Sequence, residues 1–303
     1  MLLNILKWAG IVLGSLVGVL VMAVGFLLTR SNQILNKTYS PPEDSVFIPT
    51  DAEAIAKGEY LVTNVSVCVE CHGEDFGGGV VVDDPALGRI VAPNLTKGPG
   101  GFGNELSDAD FVRVIRYGVL PDGRSLLVMP AEDYTHLSDA DLGAIIAYVR
   151  SLPPVDSTDL PPTELSTLAR LLLGANQLDI MIAERIDDDM PRVPVAAEVS
   201  LEYGRYLANI SGCTGCHGPG LSGGPILGAP PDWPQAANLT PGGPVGTWSE
   251  ADFIQTIRTG VDPSGHQLVD EMPWRNYRNM SDEELKALWL FIQSVEPKEA
   301  GNR

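Results

Sequence analysis

All four cysteines of the 303-residue chain fall in two pentapeptides, Cys68-Val69-Glu70-Cys71-His72 and Cys213-Thr214-Gly215-Cys216-His217. The spacing brings two thiols to one side of a turn and puts an imidazole directly after them. C-x-x-C-H is the attachment pattern of c-type haem. The thiols bond to the porphyrin edge, and the His stands under the iron as proximal ligand. Other chemistries fit less well. A zinc ribbon pairs its C-x-x-C units about 15–20 residues apart, whereas these lie 145 apart and each is followed by His. A thioredoxin-like pair needs a βαβ setting, and a disulfide across two residues is too strained to be a common staple. Two covalently attached haem c groups, each with its iron, are therefore expected. Cys68, Cys71 and His72 would hold one, and Cys213, Cys216 and His217 the other.

Pure electron transfer needs a sixth iron ligand, commonly Met or His. Of seven Met, only Met129 and Met272 recur at matching places, 57 and 55 residues after their His and each before a Pro. They are the expected second ligands. Met280 has Leu137 as its counterpart. His136 matches Asn279 and His266 matches Arg124, so neither remaining His is expected to bind iron. Arg124 and His266 could meet a haem propionate or simply lie at the surface. No catalytic residue is expected.

The elements around these residues occur twice. Gly58-Glu59-Tyr60-Leu61 returns as Gly204-Arg205-Tyr206-Leu207, and Pro93-Asn94-Leu95-Thr96 as Ala237-Asn238-Leu239-Thr240. Arg116-Tyr117-Gly118-Val119 returns as Arg258-Thr259-Gly260-Val261, and the capping pairs Ser107/Asp110 and Ser138/Asp141 as Ser249/Asp252 and Ser281/Glu284. The offset stays between 142 and 146 residues. Within one copy, Thr50 and Glu53 have capping-box spacing before a helix over about 51–63. Ser107 starts a second helix that Gly118 ends. Ser138 starts a third, with Leu142, Ile145, Ile146 and Val149 at core spacing, and Pro153-Pro154 stops it. Gly98, Gly100 and Gly103 satisfy G-x-G-x-x-G, but no strand is predicted before them and no βαβ unit follows. The two N-L-T triplets match glycosylation acceptors, yet their repetition beside each haem site points to a structural turn.

Net charge is −19. That argues against nucleic acid and against an anionic lipid surface, and suits solubility or a basic partner. From Trp8 to Thr29 there are 22 residues without a charge, roughly 33 Å as a helix and enough to cross a bilayer. The run is too long for the apolar core of a signal peptide, so an uncleaved anchor is expected. Gly10, Gly14 and Gly18 share one face of it, as in close-packed membrane helices. The chain divides into an anchor (1–30), an extended tether (31–50), a first domain (51–154), a linker (155–198), a second domain (199–296) and a tail (297–303). In the linker, Leu168, Leu171, Leu172 and Leu173 suggest a short amphipathic helix packed on the haem domains. Asp187-Asp188-Asp189 and Pro191 to Pro194 read as exposed.

Taken together, the chain resembles class I c-type cytochromes twice over. The features are a helix with Gly and Tyr before C-x-x-C-H, the Asn-Leu-Thr loop, the Met-Pro loop and a last helix carrying Tyr148 or Phe291. The Arg-x-Gly-Val, Met-Pro and Ser-Asp-x-x-Leu segments, with Trp248-Ser249, are similar to the cytochrome c subunits of membrane-bound alcohol, aldehyde and gluconate dehydrogenases. The resemblance implies a mostly α fold, a tandem duplication of the class I cytochrome c domain behind one transmembrane helix. It implies that first and last helices cross in each domain, the Gly permitting close contact and the aromatic packing beside it. It also implies that a carbonyl at Pro93 receives the His72 N–H. Ala237 stands at that place in the second copy, and those subunits commonly have three haem domains rather than two. The expected function is one-electron transfer by a membrane-anchored dihaem cytochrome in a respiratory or dehydrogenase chain. The haem domains would lie on the periplasmic side of the cytoplasmic membrane, with a dehydrogenase, quinol-oxidising complex or terminal oxidase as redox partner. The alternatives are a dihaem peroxidase, which would need an open distal site, and a haem-based sensor or assembly protein.

Overall fold

The structure is a computed structural model that describes residues 2–190, 192, 194–226 and 233–302. Helix α1 (Leu2–Leu35) begins it. Its stretch from Leu3 to Leu35 is long and apolar enough to cross a membrane. The helix therefore runs five residues past the boundary expected at residue 30. The chain then goes extended and is fastened to the first domain rather than hanging free. Tyr39 N–H donates to the Gly123 carbonyl at 2.8 Å, and the Tyr39 hydroxyl and Lys37 ammonium both reach Glu184. Further on, Asp44 receives Arg116 at 2.7 Å.

The first domain is α2 (Ala52–Tyr60), a π turn (Leu61–Val65), α3 (Val69–His72), a hairpin of β1 (Gly79–Asp84) and β2 (Gly88–Ala92), α4 (Asp108–Tyr117), α5 (Ala131–Tyr134) and α6 (Asp139–Ser151). The N-cap of α2 is Asp51, whose carboxylate accepts from Ala54 N–H at 2.9 Å, so the expected Thr50 cap moves by one residue. Ser107 forms a reciprocal capping box with Asp110, and Gly118 closes α4 in the left-handed region at φ 61°. The antiparallel hairpin β1–β2, joined at its edge by β3 (Glu164–Leu165), was not expected. β2 does precede the Gly98–Gly103 loop, contrary to the sequence reading. Its partner is antiparallel, though, and the next helix starts only at Asp108, so no dinucleotide fold results.

After the linker helix α7 (Thr167–Gly174), the second domain repeats the plan with α8 (Leu201–Ile210), α9 (Cys213–His217), α10 (Glu250–Thr259), α11 (Trp274–Tyr277) and α12 (Asp282–Ser294). In each domain the first and last helices cross at a glycine. A Cβ on Gly58 would lie 2.0 Å from the Ala144 carbonyl oxygen, and one on Gly204 would lie 2.0 Å from that of Ala287. The next neighbours are Cβ of Tyr148 and of Phe291, each at 2.8 Å. Only a residue without Cβ lets the two backbones meet so closely.

The linker divides its contacts. Ile180, Met181 and Ile182 are buried, and Ile182 N–H donates to the Leu126 carbonyl of the first domain at 3.2 Å. Helix α7 packs instead on α1, not on the haem domains as expected. Gly174 lies against Leu27, and Arg30 donates to the Gly174 carbonyl at 2.8 Å. Asp187, Asp188 and Asp189 are exposed. Of the following Pro191–Pro194 stretch, Pro191 and Val193 lie outside the described residues. The tail is held too, for Gly301 N–H donates to the Ser222 carbonyl at 2.9 Å.

Candidate haem sites

Each C-x-x-C-H forms one helical turn, α3 or α9, entered through a residue in the left-handed region. In the second copy that residue is Gly212 (φ 71°), the usual occupant; in the first it is Val67 (φ 43°), a β-branched residue held there against its preference. Cys68 and Cys71 are not joined in a disulfide. Burial pushes the Cys68 thiol up to about 12 and the Cys213 thiol up to about 11. Thiols so shifted stay protonated and are unlike the acidic thiol of a dithiol redox motif.

The two His are fixed in the same way. His72 Nδ1 lies 3.0 Å from the Pro93 carbonyl oxygen, and His217 Nδ1 lies 2.7 Å from that of Ala237. A carbonyl only accepts, so Nδ1 carries the proton and Nε2 the lone pair. Burial lowers the His72 pKa, which keeps the ring neutral and able to bind a metal. The replacement of Pro93 by Ala237 does not disturb the contact, because the backbone supplies the acceptor. Phe76, fully buried, stacks near His72 with ring planes 8° apart.

The N-L-T triplets are clamps on these carbonyls. Asn94 Oδ1 accepts from Thr96 N–H at 2.8 Å while its amide donates to the Val155 carbonyl at 2.7 Å. Asn238 repeats this with Thr240 at 2.9 Å and the Lys298 carbonyl at 2.8 Å. Asn94, Thr96 and Thr240 have 0% exposure, which fits the expected structural turn and not an accessible glycosylation acceptor. Met129 and Met272 are half-buried against the core at the start of matching turns. Ala131 N–H donates to the Met129 carbonyl at 2.8 Å, and Trp274 N–H to that of Met272 at 2.7 Å.

The remaining candidates go elsewhere. Met280 and Leu137 are buried core partners. Arg124 pairs with Asp122 at the surface, and the His266 N–H is held by Asp262. His136 Nδ1 lies 3.3 Å from the Asn209 amide.

Four residues were missed as interface groups. The Tyr60 hydroxyl crosses to the second domain, donating to Glu284 and accepting from Ser281 N–H at 3.1 Å. The Tyr206 hydroxyl crosses the other way, donating to Asp141 and accepting from Ser138 N–H at 3.2 Å. Beside them, Asn276 Nδ2 donates to the Thr63 carbonyl at 2.9 Å. Its counterpart Asp133 sets its carboxylate against Gly212, just before the second haem motif, and Gly215 within it. The two domains thus meet about a pseudo-twofold axis, with α5 of the first against α9 of the second. Arg116 was seen only as a repeated letter. Fully buried, it clamps Asp139 at 2.6 Å, the Leu137 carbonyl at 2.9 Å and Asp44, while Arg258 holds Asp282 at 2.7 Å.

Two imidazoles, each oriented by a backbone carbonyl beside a pair of half-buried thiols, and two half-buried thioethers packed on the core are the kinds of donor a c-type haem requires. The fold and the paired sites define a two-domain c-type cytochrome with two haem c groups. The chain belongs to the family described as cytochrome c oxidase, cbb3-type, subunit III, whose pattern matches residues 53–149 and 201–292. Among relatives, it is 28% identical to the fructose dehydrogenase cytochrome subunit of Gluconobacter japonicus, over 82% of this chain and 55% of that one. It is 28% identical to the cytochrome c subunit of the quinone alcohol dehydrogenase of Gluconobacter oxydans, over 81% and 55%. A diheme cytochrome c-type protein of Cereibacter sphaeroides is 27% identical over 90% of this chain and 93% of its own length. The chain spans about half the length of the two dehydrogenase subunits.

Proposed function

We propose that this chain is a membrane-anchored dihaem cytochrome that passes single electrons between a membrane-bound oxidoreductase and a further carrier or oxidase. The observation that carries this reading is the duplication of one helix frame, each copy holding a C-x-x-C-H turn and a half-buried Met before a Pro. Haem iron supplies the one-electron change. The chain attaches it through Cys68 and Cys71 and through Cys213 and Cys216. It orients each proximal imidazole by a backbone carbonyl at Nδ1. Met129 and Met272 would be the second ligands, and a thioether in that role would close the iron to substrates and raise the potential above that of a His/His pair. The docking of α5 against α9 supports passage between the two groups within one chain. The dehydrogenase subunits among the relatives favour a membrane dehydrogenase as donor. Because c-type haem is attached on the outer side of energy-transducing membranes, the domains face the periplasm.

The test is optical redox titration of the full chain in membranes, alongside Met129→Ala and Met272→Ala. Two reversible low-spin waves are expected, with each variant lowering one potential and removing one sulfur–iron charge-transfer band. Peroxide turnover with one high-spin haem in the parent protein would instead make it a peroxidase.

A further inference from the structure

Helix α7 has an apolar face that the protein leaves uncovered. Ala169 and Leu173 turn inward, at 1% and 3% exposure, while Leu168 and Leu172, one turn apart and about 100° round the helix from that pair, are 49% and 38% exposed. Isolated exposed leucines are ordinary on a soluble surface; the position of these along α1 is not. From Leu3 to Met22 the anchor is exposed throughout. The body first shields it at Val24, Leu27 and Leu28, still inside the uncharged run. A Cβ on Gly174 would lie 2.2 Å from the Leu27 carbonyl oxygen, Arg30 donates to the Gly174 carbonyl at 2.8 Å, and Arg170 donates to Asn32 at 2.6 Å. The C-terminal end of α7 is therefore level with Leu27, about 4.5 Å on the apolar side of Arg30, and its middle is level with Asn32. These contacts, with Lys37 and Tyr39 pinned to Glu184, hold α7 level with the last apolar turn of α1, where the uncharged run ends.

We propose that α7 is seated in the phospholipid monolayer on the haem-domain side of that bilayer. Leu171 and Leu172 lie at the edge of the hydrocarbon and Leu168 lies among the headgroups, within the depth typical of interfacial amphipathic helices. Arg30 serves both bodies: it ends the apolar run of α1 and, as a cation at a helix C-terminus, stabilises α7. The soluble body is then held at one fixed tilt to the membrane by two helices rather than swinging on one.

The proposal rests on α1 being a span, and its test separates the two ideas. With all four native cysteines in the haem motifs, a single introduced cysteine is the one thiol open to a fluorescent label. Full-length Leu172→Cys, Leu168→Cys, Leu16→Cys and Ser264→Cys, each with intact haem spectra, are labelled with an environment-sensitive dye in phosphatidylcholine–phosphatidylglycerol nanodiscs. Quenching by lipids carrying a shallow or a deep nitroxide is read as a ratio to unlabelled lipid, which cancels quenching by the haems. The expected result is blue-shifted emission and shallow-nitroxide quenching at Leu172, weaker quenching at Leu168, deep quenching at Leu16 and none at Ser264. Leu172 and Leu168 behaving like Ser264 while Leu16 is quenched would overturn the seating of α7 alone. An unquenched Leu16 would overturn the span and the proposal with it.

Discussion

Replacing Asp133 with Asn should make the protein more stable at neutral pH, by an amount that shrinks steadily as the pH falls toward 4. Asp133 is 6% exposed, and its carboxylate faces the backbone of Gly212 and Gly215. Burial, reinforced by Glu132 and only partly offset by Arg185, raises its pKa from an ordinary 3.8 to about 7. A raised folded-state pKa means that folding favours the protonated form. Its stabilising effect is complete below pH 3.8, declines as pH rises, and is gone above about pH 7. A shift of about three units is worth at most about 4 kcal/mol at 1.36 kcal/mol per unit. The amide of the Asp133→Asn variant would carry no charge at any pH, and the repeat already uses an amide at the matching place in Asn276. The remaining carboxylates titrate alike in both proteins and cancel in the difference. Guanidinium unfolding of the holoprotein in micelles, followed by far-ultraviolet circular dichroism at pH 4.5, 6 and 8, gives that difference directly. It should grow from about 1 kcal/mol at pH 4.5 to at most about 4 kcal/mol at pH 8 in favour of the variant. A gap that stays constant with pH would refute the reasoning, because the burial of an ionisable group would then not be its source.

Three further outcomes follow from contacts in the two domains. Gly58→Ala and Gly204→Ala each push a methyl to 2.0 Å from a carbonyl oxygen and should cost about 1–3 kcal/mol or more, whereas Gly14→Ala, with open space around it, should leave the thermal midpoint unchanged. Tyr60→Phe and Tyr206→Phe each remove one hydroxyl bridge to a buried carboxylate, so each should cost about 1.5–3 kcal/mol and raise hydrogen exchange along the domain interface to a similar degree. Arg116→Leu should destabilise by about 3–5 kcal/mol because it strands Asp44, whereas Arg258→Leu, whose partner Asp282 is 63% exposed, should lose under half as much in the same melt.

Much of the frame was legible because it rests on local rules. Ser107, Ser249 and Ser281 cap their helices where hydroxyl and carboxyl stand three residues apart, and Gly118 and Gly260 end helices at positive φ. The haem motifs and the recurring Met-Pro pairs could be read from spacing alone. What escaped depends on distance in the chain. Val80-Val81-Val82 sits between a glycine run and Asp83-Asp84-Pro85, so its strand was hidden among turn residues. The leucines of α7 announced an apolar face but not its partner, since an apolar surface carries no code for what covers it. The bridging tyrosines were seen as repeated letters. A duplicated Tyr and a duplicated acid fit equally well within one copy or across two, and only the fold distinguishes these.

That crossing pattern has a consequence for the history of the molecule. Tyr60 binds the helix start at Ser281 and Glu284, and Tyr206 binds the equivalent start at Ser138 and Asp141. Each copy thus carries both halves of one contact, which is the mark of an isologous interface between identical subunits. The present chain has the arrangement of a closed homodimer of single-haem units joined by a linker. Once joined, the halves were free to diverge, and the pairing of Asp133 with Asn276 shows where the symmetry has already been broken.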